Sequence, residues 1–164
     1  MVETLILVRH GKAEPGSPSL PDIERALTET GRAALAAPEG FPTSFAQLEA
    51  VDRERAELWV SPALRARQTA QEVLAVIGER PLIEHESLWE QDGVAFLEEL
   101  AASDAQTVIA VGHIPFMNEL LDWLTGEALS FSPGSVAAIR LAPAADAREL
   151  GGTLLWLRKL PKKA

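Results

Sequence analysis

The chain has 164 residues, 47% of them hydrophobic and 24% charged, and a formal net charge of −9. This balance predicts one domain spanning 1–164 with a core of its own, and it argues against disorder. The acidic excess disfavours general binding to nucleic acid or to an anionic membrane, no apolar run approaches the roughly 20 residues a bilayer span needs, and the lack of cysteine removes disulfides and thiolate nucleophiles. The N-terminus shows no basic segment leading into a long apolar stretch, so a cytoplasmic protein is expected.

In chain order, Leu5-Ile6-Leu7-Val8 predicts a buried strand over 3–8 that runs straight into Arg9, His10 and Gly11. Residues 13–27, with Pro15, Ser17, Pro18, Ser19 and Pro21, read as an exposed loop. Thr28 is placed to cap a helix over 29–37, with Ala33, Ala34 and Leu35 available for packing. Pro38, Gly40 and Pro42 predict a break over 38–44, and 45–54 a second short helix. Glu57-Leu58-Trp59-Val60 reads as a strand. A helix follows, with Ser61 as N-cap and Pro62 at its first position. Leu64, Ala66, Ala70, Val73 and Ile77 recur at helical spacing, and Gly78 marks the stop.

Residues 82–84 read as a short strand and 93–102 as a helix carried by Val94, Leu97, Leu100 and Ala101. Thr107-Val108-Ile109-Ala110-Val111 is the clearest buried strand. Gly112-His113 then turns into a helix opened by Pro115 and running to Leu124. Segments 135–141 and 153–159 read as strands around a polar turn with Asp146 and Gly151-Gly152, and the basic tail Lys159–Ala164 as a solubilising end. Strands alternating with helices imply a largely parallel sheet, and the late strand pair implies an antiparallel addition.

Three strand exits carry the chemistry. The first presents Arg9 and His10, the second Ser61-Pro62-Ala63-Leu64-Arg65, the third Gly112-His113. Parallel strands joined by right-handed crossovers would bring all three to one edge of the sheet. Two arginines, two histidines and two helix N-termini would then converge, which suits a tetrahedral oxyanion and no metal. A metal site is disfavoured because no spacing pairs the histidines and the arginines would repel a cation.

With these motifs the chain resembles the histidine phosphatase superfamily, which includes the phosphoglycerate mutases. The matching segments are Arg9-His10-Gly11, the run from Ser61 to Thr69, Val111-Gly112-His113 and Leu27-Thr28-Glu29-Thr30-Gly31. The form of Gly112-His113-Ile114-Pro115 and the short length are most similar to the SixA-type phosphohistidine phosphatases. The resemblance implies a three-layer phosphoglycerate mutase-like α/β fold. Its central sheet is mostly parallel with an antiparallel addition near the C-terminus, and helices cover both faces. It implies His10 as a nucleophile that becomes phosphorylated, Arg9 and Arg65 gripping the phosphoryl oxygens, and His113 donating a further hydrogen bond in its charged form. His10, Arg9, Arg65 and His113 would together bind the phosphate, with no cofactor.

Family members that protonate their leaving group use a carboxylate. Here Glu90 is the candidate, with Asp92, Glu14 or no residue at all as the other readings. The expected substrate is phosphohistidine on a protein, such as a histidine phosphotransfer protein. A small phosphomonoester is the first alternative, with residues 13–27 as its lid, and a non-catalytic phosphate-binding module is the second. Oligomeric state has no signature in the sequence. Arg67, about 200° around the helix from Arg65, is expected to be structural or solvent-facing. Lys12 and His85 are expected to lie at the surface, and the four tryptophans in or partly in the core, with Trp89 near the pocket.

Overall fold

The computed structural model describes residues 1–162; Lys163 and Ala164, the last residues of the expected basic tail, lie outside the described residues. The strands are β1 (Thr4–Arg9), β2 (Glu57–Val60), β3 (Leu82–Glu84), β4 (Thr107–Gly112), β5 (Val136–Leu141) and β6 (Gly152–Arg158). The helices are α1 (Glu29–Ala36), α2 (Phe41–Ala46), α3 (Ala50–Arg55), α4 (Leu64–Ile77), α5 (Glu86–Glu90), α6 (Gly93–Ala102) and α7 (Phe116–Thr125). The strands form one sheet in the order β3-β2-β4-β1-β5-β6. β3, β2, β4 and β1 run parallel, and β5 and β6 add on antiparallel. The sheet is therefore the mostly parallel one with a C-terminal antiparallel addition that the strand pattern predicts.

Burial on both faces explains the unbroken apolar runs. Leu5 and Leu7 of β1 point to a layer containing Phe96, Leu97 and Leu100 of α6 and Phe116, Leu120 and Leu124 of α7. Ile6 and Val8 point the other way, to Leu35 of α1, Phe41 and Phe45 of α2, and Ala66, Ala70 and Val73 of α4. Helices cover both faces, giving the three-layer α/β arrangement that the resemblance implies.

Register fixes what emerges at the sheet's C-terminal edge. Arg9 pairs with Gly112, and Val60 with Val111. His10, Ser61 and His113, each the residue that follows its strand, therefore leave the sheet nearly level. The His10 N–H donates to the Gly112 carbonyl (3.0 Å) and the Ser61 N–H to the Val111 carbonyl (3.1 Å), which extends the ladder by one step into the site.

Local chemistry sets the element ends. The Thr28 hydroxyl accepts from the Gly31 N–H at 2.8 Å, capping α1 as expected. Gly78 ends α4 with φ 104°, a value that favours glycine. Three expectations are corrected, and one helix is new. Residues 38–44 do not simply break the chain: Pro42 sits in the first turn of α2, where its missing N–H costs nothing, and Phe41 and Phe45 pack edge-to-face at 5.2 Å. The helix expected over 45–54 is the end of α2 followed by a separate α3. Ser61 is not the N-cap of α4, which begins at Leu64 after Ala63; the Ser61 hydroxyl instead accepts from the Ala63 N–H at 3.2 Å. α5 has no counterpart in the sequence reading.

Some side chains face other ways than expected. Ala33, Leu64, Val94 and Ala101 are exposed, and Trp123 is 52% exposed rather than in the core. His85 is not a surface residue. It stacks on the buried Trp59 ring at 4.0 Å, and its Nδ1 bonds Glu99, which also accepts from the Ser87 hydroxyl at 3.0 Å.

Candidate active site

An open pocket of about 740 Å³ lies at the C-terminal edge of the parallel strands, lined by Arg9, His10, Arg65 and His113 among others. The four side chains come from β1, the β1 exit, the first turn of α4 and the β4 exit. The sequence reading requires these elements to be neighbours, and the sheet order makes them so. The imidazoles of His10 and His113 face each other with ring centres 5.2 Å apart.

His10 has a defined tautomer. Its Nδ1 lies 2.7 Å from the Gly11 carbonyl, which can only accept, so Nδ1 carries the proton and Nε2 is left with a free lone pair. Burial, followed in effect by the positive charges of Arg65 and Arg9, lowers the pKa of His10 to about 4. The ring is therefore neutral at neutral pH. Gly11 is itself held: its N–H donates to the Thr69 hydroxyl (3.0 Å), which donates to the Arg65 carbonyl (2.8 Å). One threonine of α4 thus ties the loop carrying His10 to the turn carrying Arg65.

His113 is also neutral, which corrects the expected charged form. Burial, then the charge His10 takes up once it is protonated in acid, and the positive charge of Arg65 lower its pKa to about 3. Its Nε2 sits 2.8 Å from the Ser61 hydroxyl, and its Nδ1 is buried with no partner inside the protein.

The arginines are anchored on one side and unpartnered on the other. Arg9 donates from Nη1 to the Phe131 carbonyl at 2.9 Å. Arg65 donates to the main-chain carbonyl of Asp22 (2.7 Å) and to its carboxylate (3.2 Å) and lies over the Trp89 ring at 5.5 Å. The Nε of each arginine is buried without a partner.

Sequence reasoning missed Asp22, Arg25, Gln91 and Ser61. The first two line the pocket from the 13–27 loop, which is draped along its rim with a 3-10 turn at Asp22–Glu24. Two arginines hold the Asp22 carboxyl below its ordinary pKa, chiefly through the hydrogen bond from Arg25. No sequence signal singles out Asp22 among the acidic residues of an exposed loop; Ser61 stood in the motif but was read as a helix cap.

Glu90 is exposed at the end of α5 and does not line the pocket, nor do Asp92 or Glu14. Asp92 instead caps α6, accepting from the Ala95 N–H at 3.1 Å. The neighbours of Glu90 do face inward: Trp89 and Gln91 line the cavity. Gln91 ends α5 with φ 55°, a left-handed turn that brings its side-chain oxygen within 3.0 Å of the Phe116 N–H. Arg67 is exposed and pairs with Glu84, as expected of a residue outside the site. Among the described residues no group of three or more His, Asp or Glu side chains is placed to hold a metal ion, and no helix is long and apolar enough to cross a membrane.

Residues 5–94, over half the chain, match the family model of the histidine phosphatase superfamily (branch 1). The fold matches a protein from Agrobacterium tumefaciens assigned as the phosphohistidine phosphatase SixA, with a TM-score of 0.76, 22% identity, and coverage of 96% of this chain and 98% of that one. It also matches a protein histidine phosphatase SixA complexed with tungstate, with a TM-score of 0.67, 25% identity, and coverage of 95% and 96%. A mycobacterial glucosyl-3-phosphoglycerate phosphatase is similar as well, with a TM-score of 0.67, 15% identity, and coverage of 93% and 97%. No curated protein matches the sequence.

Proposed function

Since the chain belongs to the histidine phosphatase superfamily, we propose that this phosphatase uses His10 as its nucleophile and acts on phosphohistidine carried by a protein. The observation that carries the first half is the free lone pair on Nε2 of a neutral His10, facing His113 and flanked by Arg9 and Arg65. In the first step Nε2 of His10 attacks phosphorus while the substrate's P–N bond breaks. Arg9, Arg65 and His113 take up the charge on the equatorial oxygens. In the second step water attacks phosphorus, the His10–phosphorus bond breaks, and inorganic phosphate leaves.

Ser61 supports the part given to His113. A bare Nδ1 would repel an oxyanion. The Ser61 oxygen already accepts from Ala63, so its own proton is available to donate to Nε2 of His113. Nδ1 then carries the hydrogen of the neutral ring and donates it to the phosphoryl group. Tungstate, held by one structural relative, is a tetrahedral oxyanion of the kind these donors suit.

The choice of substrate rests on the pocket's acid. Among the described residues Asp22 is the one carboxyl group lining it, and the arginines keep that group ionised. An alkyl phosphomonoester needs its leaving oxygen protonated, a service worth about 10²–10⁴-fold in rate. Imidazole leaves as a neutral ring once solvent has protonated phosphohistidine, so a P–N substrate does not need an acid from the enzyme. The test is to compare kcat/KM on a phosphohistidine protein with that on an alkyl phosphomonoester, and to trap phosphate on His10 by rapid quench and mass spectrometry. A preference for the protein of about 10²-fold is expected. A preference for the monoester would overturn the substrate, and label found on another residue would overturn the nucleophile.

A further inference from the structure

The chain has four lysines, Lys12, Lys159, Lys162 and Lys163. The three that the structure describes are far apart in sequence, yet all line one open groove of about 520 Å³. Among the described residues none of them enters an ion pair. The arginines behave differently: Arg53, Arg80 and Arg158, for example, are held by main-chain carbonyls of the protein itself. The groove adjoins the phosphate pocket, since Lys12 and Pro133 line both.

The groove is built. Lys12 is fixed where the Thr28 N–H donates to its carbonyl at 2.9 Å. On the other wall Leu160 packs so closely over the 132–135 turn that a Cβ on Gly134 would come within 2.6 Å of its Cδ1. Leu160 thereby pins the stretch carrying Lys159 and Lys162 beside the pocket, so these two lysines are more than a solubilising end. The floor is apolar, from Ala34, Leu160 and Pro161, and among the described residues no acidic side chain lines the groove. On a molecule of net charge −9, unpaired ammoniums gathered at one place make a local positive field.

We propose that this groove binds a carboxylate-rich segment of the phosphoprotein substrate, with carboxylates on the lysine rim and apolar side chains on the floor. The identity of the ligand rests on the phosphohistidine-protein reading above; the existence of the groove does not. A free anion would use the rim and leave the apolar floor uncovered, whereas a polypeptide of alternating acidic and apolar residues uses both. Three exposed ion pairs are individually weak, but together they raise the on-rate and set register for the phosphorylated side chain next door.

The test uses the full chain with Lys159→Glu and Lys162→Glu together; Lys12 is left alone because it also borders the phosphate pocket. On a phosphohistidine protein kcat/KM falls about tenfold, through KM, and the wild-type loss of rate with added salt flattens. On phosphoimidazole the rate is unchanged. An unchanged rate on the phosphoprotein overturns the proposal. So does an equal loss on both substrates, or a loss confined to a carboxylate-bearing small phosphomonoester. A binding arm needs no turnover. An unphosphorylated peptide of alternating glutamate and leucine shifts the amide resonances of 30–34 and of residues 159, 160 and 162 in the wild type but not in the variant, and absence of those shifts overturns the groove. If the wild type fails to dephosphorylate any protein, the functional reading falls while this arm still decides the groove.

Discussion

At the scale of the residue, the site depends on where two protons sit. His10 holds one on Nδ1, against the Gly11 carbonyl, which leaves Nε2 free for the proposed attack on phosphorus. Protonation of Nε2 removes the nucleophile, and its pKa lies near 4. With a phosphoimidazole substrate, kcat/KM is therefore expected to lose nothing to His10 as pH falls to about 5 and to drop below about pH 4, any alkaline limb belonging to the substrate's own ring. A fall that began near pH 6.5 would show an imidazole of ordinary basicity. On the proposed mechanism His10→Ala is expected to lower turnover, read as phosphate release, by about 10³-fold or more. The second proton is set by Ser61. Ser61→Ala is expected to lower kcat by about tenfold or more while leaving the melting temperature within a few degrees, because the hydroxyl positions His113 rather than holding the core. Glu90 lies outside the pocket. Glu90→Gln should change hydrolysis of an alkyl phosphomonoester by less than about twofold, against the 10²-fold or more expected of a general acid.

At the scale of the element, the site is an assembly of strand exits, and its accuracy comes from how neighbouring loops are locked. Gly31 in the first turn of α1 is one such lock. A Cβ there would sit 2.4 Å from the Lys12 carbonyl oxygen and 2.8 Å from the Thr28 hydroxyl, and the first is main chain that cannot swing away. Gly31→Ala is expected to cost about 1–3 kcal/mol of stability by thermal or denaturant unfolding and to raise KM, because the displaced segment carries Gly11 and Lys12. The strands were legible in the sequence. Three of them, β1, β2 and β4, are short apolar runs bounded by turn residues, and a buried parallel strand can hardly look otherwise, whereas β3 is a short and largely exposed edge. The helices over 38–55 were not. Pro42 signals both a break and a first helical turn, and only the packing of Phe41 against Phe45 decides which. α5 is too short to show a period. Its end at Gln91 matters most for the site, since that turn puts Trp89 and Gln91 inward and leaves Glu90 outside.

At the scale of the whole molecule, burying two neutral histidines couples the site to stability. Their folded pKa values, about 4 for His10 and about 3 for His113, lie below the ordinary 6.5. As pH falls through 6.5 the unfolded chain takes up these protons and the folded one does not, so the folded state loses stability. The loss ends once the folded rings also titrate. The histidine contribution to the melting temperature is expected to fall from pH 6.5 down to about pH 3, His10 ceasing to add to the slope near pH 4 and His113 near pH 3. The double variant His10→Ala with His113→Ala should have a shallower drop over the same range; an unaltered slope would place the coupling elsewhere.

The sequence by itself determined the strand-and-helix alternation, the three motif-bearing exits, the α/β class and the resemblance to a phosphatase family. These follow from local pattern: apolar runs, glycine turns and a few fixed neighbours along the chain. Tertiary structure alone decided that His113 is neutral, that Ser61 and Asp22 reach the site, that Glu90 does not, and that lysines from opposite ends of the chain share a groove. Each of those depends on distance and burial between residues far apart in sequence, and a pKa or an ion pair is set by what lies within a few ångströms in space, whatever its place in the chain.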